Sequence, residues 1–290
     1  MTPLDLVKLP QLMELTAGSS NINVGLIDGP VAIGHPDLAG TNMSEVPGSA
    51  RGSCAEASSA ACLHGTFVAG ILSSRRGSPA PAICPDCALL IRPVFAETAA
   101  ENADPPSAEP EELAAAILEC IAAGARILNL SLALMRSPAK AQLALTHALD
   151  HAARLGVIVV AAAGNQGAIG GTVITSHPCV IPVSTCDLRG RPLNDSNLGH
   201  SIGRRGFMAP GERVTSLKAM GESQTSGGTS VAAPFVTGAI ALIWSLFPAA
   251  GAAELRLAIL KAHARARSVT PPLLNAWAAY QVLSASPSRS

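Results

Sequence analysis

Three short segments carry side chains whose types, taken together, can perform acyl transfer. The first is Gly228-Thr229-Ser230-Val231-Ala232-Ala233-Pro234, a serine on a glycine-rich turn that opens a strongly apolar run. A hydroxyl at a helix N-terminus lies where backbone N–H groups and the helix dipole favour negative charge developing on a bound reactant. Taken alone, the segment reads equally well as a helix start capped by Thr229 or Ser230. The second, Asn23-Val24-Gly25-Leu26-Ile27-Asp28-Gly29, reads as a buried strand running out into a carboxylate and a glycine turn. Asp28 then sits at the carboxyl end of a strand, where α/β proteins place ligands and catalytic groups. The third, His64-Gly65-Thr66-Phe67-Val68-Ala69-Gly70, opens an apolar helix with an imidazole on its first turn. A serine hydroxyl is a poor nucleophile until a base takes its proton, and the base needs a partner that fixes its tautomer and stabilises its cation. His64 and Asp28 fill those two roles for Ser230.

A fourth segment supplies what such chemistry still lacks. Val157-Ile158-Val159-Val160-Ala161-Ala162-Ala163 is a continuous apolar run, as for a parallel strand covered on both faces, and ends in Gly164-Asn165. An asparagine amide at such a strand end can donate to an oxyanion.

These segments resemble the subtilisin family of serine proteases. The matches are Leu26-Ile27-Asp28-Gly29 with His35-Pro36-Asp37-Leu38, His64-Gly65-Thr66 with Val68-Ala69-Gly70, and Gly228-Thr229-Ser230 with Ala233-Pro234. The order Asp, His, Ser is the family's own. The resemblance implies a serine endopeptidase with Asn165 and the backbone N–H of Ser230 as oxyanion donors, acting on a peptide or protein substrate. It also makes Arg126 to Ala133 the segment whose edge pairs with substrate backbone, so that Ser131, Leu132, Ala133, Ala163 and Gly164 border the substrate. Ala133 stands where the family usually has glycine, and its methyl narrows the first pocket.

The elements that must position these groups alternate between strand and helix, which favours an α/β, doubly wound parallel sheet in three layers with helices on both faces. Further strands are expected at Ala88 to Val94 and Val180 to Ser184, and helices at Leu9 to Thr16, Glu111 to Ala123, Ala139 to Arg154 and Ala252 to Ala262. No repeat or linker interrupts residues 1–290, which read as one domain with residues 1–3 and 285–290 loosely held. With 48% hydrophobic residues and only 3% aromatic ones, its core is built mainly from Ala, Val, Leu and Ile. A formal net charge of zero argues against a nucleic-acid partner. The run from Val231 to Phe247 is apolar nearly all round, but it is short for a bilayer and contains Pro234, Thr237, Gly238 and Ser245, so it is expected as a buried central helix and not a membrane span. No basic segment followed by a secretory apolar stretch opens the chain, which points to the cytoplasm. Met1 lies just 27 residues before Asp28, which leaves no room for a subtilisin-type folding prodomain, so the expectation is that the chain either folds without one or has been trimmed.

The seven cysteines are expected as free thiols in a reducing compartment, with a Cys54–Cys62 or Cys84–Cys87 disulfide, or a four-thiolate zinc site, as alternatives. Asp37 matches a calcium-ligating position of the family, but the stretch from Ser73 to Ile83 lacks the oxygen donors a calcium site needs, so no metal and no cofactor are expected. Leu90-Ile91-Arg92-Pro93-Val94-Phe95-Ala96, the Cys84 to Cys87 turn and the N-terminal helix make the chain most similar to the cyanobactin-maturation proteases. Those process ribosomally made precursor peptides, one branch by hydrolysis and the other by ring closure under a helical insertion. No such insertion is evident between Asp28 and His64, so hydrolysis is expected; a transpeptidase, or an inactive protease-like binding module, is the alternative. The acidic stretch from Glu97 to Glu112 reads as a solvated loop, or else as an attractor of basic residues upstream of the scissile bond. A dinucleotide fingerprint at Gly164 to Gly170 is excluded because Gly171-Thr172-Val173-Ile174 opens no helix. An α/β-hydrolase esterase is excluded because Ala232 occupies the last glycine of its nucleophile elbow and the triad order differs.

Overall fold

A computed structural model describes residues 1–48, 52–95, 97, 107–134, 139–263 and 268–285. Its helices are α1 (Pro3–Leu6), α2 (Pro10–Leu15), α3 (Ala60–Ser73), α4 (Pro110–Ala122), α5 (Ala139–Arg154), α6 (Val173–Ser176), α7 (His200–Arg205), α8 (Thr229–Leu246), α9 (Ala252–Lys261) and α10 (Ala276–Ser284). Its strands are β1 (Asn23–Asp28), β2 (Met43–Glu45), β3 (Ala88–Pro93), β4 (Ser107–Ala108), β5 (Ile127–Leu130), β6 (Ala133–Leu134), β7 (Ile158–Ala162), β8 (Val180–Cys186), β9 (Phe207–Pro210), β10 (Val214–Leu217) and β11 (Ser223–Ser226).

Seven strands form one sheet in the order β2-β3-β1-β5-β7-β8-β9, every neighbouring pair parallel. From β1 the chain runs to the edge strand β2 and returns to place β3 between them, whereas from β5 to β9 it winds steadily outward in the other direction. The strand order therefore reverses between β1 and β5, and the crevice at their carboxyl ends is where open α/β sheets bind ligands.

Period-two alternation sorts the strand residues into two cores. Leu26, Ile127, Ile158 and Val160 face one core with α3, α8 and α9, whereas Ile27, Leu128, Val159 and Ala161 face the other with α4 and α5. This is the expected three-layer architecture, with one local correction: Gly171-Thr172-Val173-Ile174, expected to open no helix, leads into α6, a four-residue helix capped by Thr172 and Thr175. Helix α8 is long and apolar enough to cross a membrane, but 83% of it is buried inside the protein, packed on β5, β7, β8 and β9. It is the central helix of its layer. At the N-terminus, which was expected to be loose, Thr2 and Asp5 cap α1 reciprocally.

Candidate active site

Strand β1 delivers Asp28 to the switch-point crevice: Ile27 is paired with Arg92 on one side and Leu130 on the other, and Asp28 is fully buried. Helix α3 brings His64 to it, but the helix starts at Ala60, so His64 stands on its second turn and not on the first as expected. Ser59 caps that helix by accepting from the Cys62 amide. The helix then passes so close to the end of β1 that a Cβ at Gly65 would lie 2.4 Å from the carbonyl oxygens of Gly29 and Pro30. Only glycine fits this approach, which explains the His-Gly pair of the motif.

His64 Nδ1 lies 2.6 Å from Asp28 Oδ1, and the same oxygen accepts from the Gly29 amide at 2.6 Å. An ionised carboxylate can only accept, so Nδ1 carries the proton and Nε2 is left as the base. Burial disfavours the imidazolium, but the charge of Asp28 and its hydrogen bond outweigh that cost, and the His64 pKa is raised above its ordinary 6.5.

Ser230 arrives on α8. The helix begins at Thr229 after Gly228, which has φ +113 and no side chain to cap with. The capping reading of Thr229 and Ser230 is therefore corrected: both are helical residues, and their hydroxyls are available for other partners. Pro234, four residues on, has no N–H to give the Ser230 carbonyl. That acceptor is satisfied instead by Ser131 Oγ at 3.0 Å. Ser131 is in turn held by Asn129 Nδ2 at 2.7 Å, and Asn129 Oδ1 accepts from Thr237 Oγ1 at 2.7 Å. A buried polar string thus ties α8 to the end of β5, next to the strand that ends in Asp28. His64 and Ser230 share no hydrogen bond in this structure, a contact that tightens in serine hydrolases when substrate binds.

Asn165 follows β7. Its Oδ1 accepts from the Thr229 amide at 2.9 Å and from Thr229 Oγ1 at 3.0 Å, and Thr229 Oγ1 accepts from the Gly164 amide at 3.0 Å. With Oδ1 anchored, Nδ2 is the end of the amide left to donate into the crevice beside the N-terminus of α8.

Of the expected substrate-bordering residues, Leu132, Ala163 and Gly164 line one pocket of about 580 Å³. Its other apolar walls are Ala162, Ala168, Ile169 and Ile174, its polar ones Gln166, Thr172 and Asn197, and among the described residues no charged side chain lines it. Ile169 is 79% exposed at the rim. Ser131 contributes its side chain to the Ser230 carbonyl rather than to this pocket. The edge expected to pair with substrate is occupied at Ala133 and Leu134, where β6 pairs with β4. The acidic stretch divides. Glu97 turns inward, accepting from the Ala55 and Glu56 amides and Ser59 Oγ, and Glu112 pairs with buried Arg92 at 2.7 Å. Glu101 and Asp104 lie outside the described residues.

The cysteine expectation is corrected in part. Cys54 and Cys62, brought to a Cα separation of 5.6 Å where the loop folds back onto the first turn of α3, form a disulfide. Cys84, Cys87, Cys120, Cys179 and Cys186 are free and buried. Burial pushes the Cys179 thiol up to about 11 and those of Cys120 and Cys186 up to about 12, which leaves them unreactive. The Asp37 carboxylate takes the Arg75 guanidinium at 2.5 Å.

Three supporting residues had no motif to announce them. Asn129 and Thr237 belong to the string behind Ser230, and Asn197 accepts from the Gln166 and Ala168 amides and so shapes the pocket wall. For Asn129 and Thr237 the available signal was a polar residue within an otherwise apolar element; Asn197, in a polar loop, had none.

The subtilase family model matches residues 19–276. Subtilisin E of Bacillus subtilis is 30% identical over 86% of this chain, which spans 62% of that protein's length. Subtilisin of Bacillus pumilus is 30% identical with 86% of each covered. Among solved structures, the protease domain of PatA superposes with a TM-score of 0.81 at 30% identity, covering 92% of this chain and 96% of that one. The prenylagaramide maturation protease PagA gives 0.80 at 29%, covering 95% and 98%. The PatG macrocyclase domain, at 22% identity, shares the fold. With the crevice built as above, these matches establish that the chain belongs to the subtilase family of subtilisin-like serine endopeptidases.

Proposed function

We propose that this chain is a serine endopeptidase that hydrolyses peptide bonds through an acyl-enzyme on Ser230, and that its substrate is a ribosomally made precursor peptide. The observation that carries the chemistry is the 2.6 Å Asp28–His64 pair in the same crevice as the serine-bearing end of α8. His64 Nε2 takes the Ser230 proton as Oγ attacks the scissile carbonyl, and Asp28 holds the imidazolium that forms. Asn165 Nδ2 and the Ser230 amide stabilise the oxyanion. His64 then protonates the leaving amine, and water releases the acyl group.

The pocket beside Asn165, walled by Leu132, Ala162, Ile169 and Ile174 and with no charged side chain among its described lining residues, favours a medium-sized apolar side chain on the acyl side of the scissile bond. The precursor-peptide reading rests on the likeness to PatA and PagA, each covered over more than nine-tenths of both chains. Hydrolysis rather than ring closure is supported by the short strand β2, which is the only element among the described residues between Asp28 and α3, and by the 23% exposure of the His64 side chain, which leaves water access.

The test is incubation with a peptide library and with synthetic leader–core precursor peptides, read by mass spectrometry. Cleavage after apolar residues at one junction of the precursor, with linear products, is expected. General cleavage with no preference for a precursor would remove the maturation reading and keep the protease. A folded protein that cuts nothing would favour a binding module.

A further inference from the structure

The Cys54–Cys62 disulfide has a third neighbour that a structural crosslink does not need. The two sulfurs and a carboxylate oxygen of Glu97 all lie within 4.8 Å of one another. We propose that, once this disulfide is reduced, Cys54, Cys62 and Glu97 form a binding site for a thiophilic divalent cation such as zinc, so that disulfide and cation are alternative states of the same three residues.

The groups around the trio are arranged as they would be around a metal. Ligating carboxylates are themselves held by hydrogen bonds. Glu97 Oε2 accepts from the Ala55 amide at 2.8 Å, and Oε1 accepts from the Glu56 amide at 3.0 Å and Ser59 Oγ at 3.2 Å. Three donors thus fix the carboxylate, and lone pairs remain for a cation. Thiolates are stabilised by a nearby hydroxyl. Thr66 Oγ1 lies 4.0 Å from Cys54 Sγ and 3.9 Å from Cys62 Sγ, and because it already accepts from the Ala32 amide its own proton is free to point at sulfur. Cys62 also stands in the first turn of α3, where the helix dipole favours negative charge.

Geometry and access agree. Zinc binds sulfur at about 2.3 Å and a carboxylate oxygen at about 2.0–2.2 Å, which in a tetrahedron separates two sulfurs by about 3.8 Å. Side-chain rotation about Cα atoms 5.6 Å apart can supply that spacing. Cys62 is fully buried, but Cys54 and Glu97 are half-buried, so a cation enters from their side with water as the fourth ligand. Two thiolates and a carboxylate suit zinc better than calcium or magnesium.

The redox step balances. A dithiol reductant gives two electrons and two protons to the Cys54–Cys62 bond, yielding two thiols and its own cyclic disulfide. Cation binding then releases the two thiol protons to solvent.

The experiment titrates Co²⁺ into the full chain under anaerobic phosphine reductant and follows thiolate-to-cobalt charge-transfer and tetrahedral d–d absorption. Zn²⁺ competition and metal analysis of the isolated protein give stoichiometry. One cobalt per reduced chain, displaced by zinc, is expected. The oxidised protein should take up none. Cys54→Ser and Cys62→Ser should each lose the charge-transfer band, Glu97→Gln should weaken binding by about tenfold or more, and Cys84→Ser/Cys87→Ser should bind as the parent does. Circular dichroism confirms that each variant is folded. No stoichiometric uptake by the reduced parent, or uptake that persists in Cys62→Ser or disappears with Cys84→Ser/Cys87→Ser, would overturn the assignment.

Discussion

The two helices that carry His64 and Ser230, the proposed base and nucleophile, are secured in opposite ways. Helix α8 is held by burial: from Val231 to Trp244 its side chains are inside the protein, and its N-terminal hydroxyl bearers are tied from behind by the Thr237–Asn129–Ser131 string and by Asn165. Helix α3 is buried along most of its length, but its N-terminal end, just before His64, is held through a loop. There the fastening is the Ser59 cap, the Cys54–Cys62 disulfide and the three hydrogen bonds to Glu97. The proposed nucleophile, Ser230, therefore sits on a rigid scaffold, and the proposed base, His64, sits near a helix end whose position depends on a few polar and covalent ties. A serine must be placed to within a fraction of an ångström for attack, whereas the imidazole has to serve both the serine and the leaving amine.

The largest test of this contrast removes the nucleophile itself. Ser230→Ala should lower turnover by roughly 10⁶, the scale measured for this family, with the fold unchanged by circular dichroism. Retained turnover would place the nucleophile elsewhere. Next comes Asn165→Ala, expected to cost on the order of 10² to 10³ in kcat with little change in KM, again the family's measured magnitude and not one deduced for this chain. Asn165→Asp keeps the acceptor for Thr229 but sets a carboxylate against the oxyanion, so it should be at least as damaging. If it were the milder change, anchoring Thr229 would be the residue's main role.

Ser131→Ala probes the rear of α8. It strands the Ser230 carbonyl that Pro234 cannot satisfy, and should cost about 1–3 kcal/mol in chemical denaturation. Glu97→Gln probes the loop before α3. The contrast predicts faster hydrogen exchange at the Ala55 and Glu56 amides with the α8 amides unaffected; loosening of both helices together would show that they form one unit.

The smallest effects concern titration and pocket shape. Because the folded His64 pKa is raised, kcat/KM should climb with pH through an inflection above 6.5 and be lost below it, when the ring is protonated and cannot act as base. The sign for stability is the reverse. The gain from the Asp28 partner is complete below 6.5 and fades as pH rises through the folded value. Asp28→Asn should move the kinetic inflection downward. Ile169→Ala, at the pocket rim, should reduce kcat/KM for large apolar residues by about fivefold, on the order of 1 kcal/mol of lost burial, and leave small residues unaffected.

What could be read from the residues follows from where each constraint acts. Asp28, His64 and Ser230 stand in local motifs because each needs its own setting: a strand end, a helical turn at which glycine permits close approach, and a helix opened by a left-handed glycine. The long elements were legible too, β1 at its observed bounds and α5 likewise, since burial on two faces or on one stripe leaves a periodic trace. Short β9 and the hairpin β10–β11 left none. Ser223-Gln224-Thr225-Ser226 has no apolar face, and its pairing is set by β10. Nor could the polar string be foreseen, because the Ser131–Ser230 bond joins residues 99 apart. The Cys54–Cys62 pairing depended on a loop fold that spacing alone left open.

The most direct measurement is reaction of the folded chain with a fluorophosphonate, the adduct being mapped by mass spectrometry. The account predicts a single covalent adduct on Ser230, formed with the pH dependence of His64 and suppressed in His64→Ala and Asp28→Asn. A folded protein that forms no adduct at Ser230, or labels equally well without His64, would contradict it.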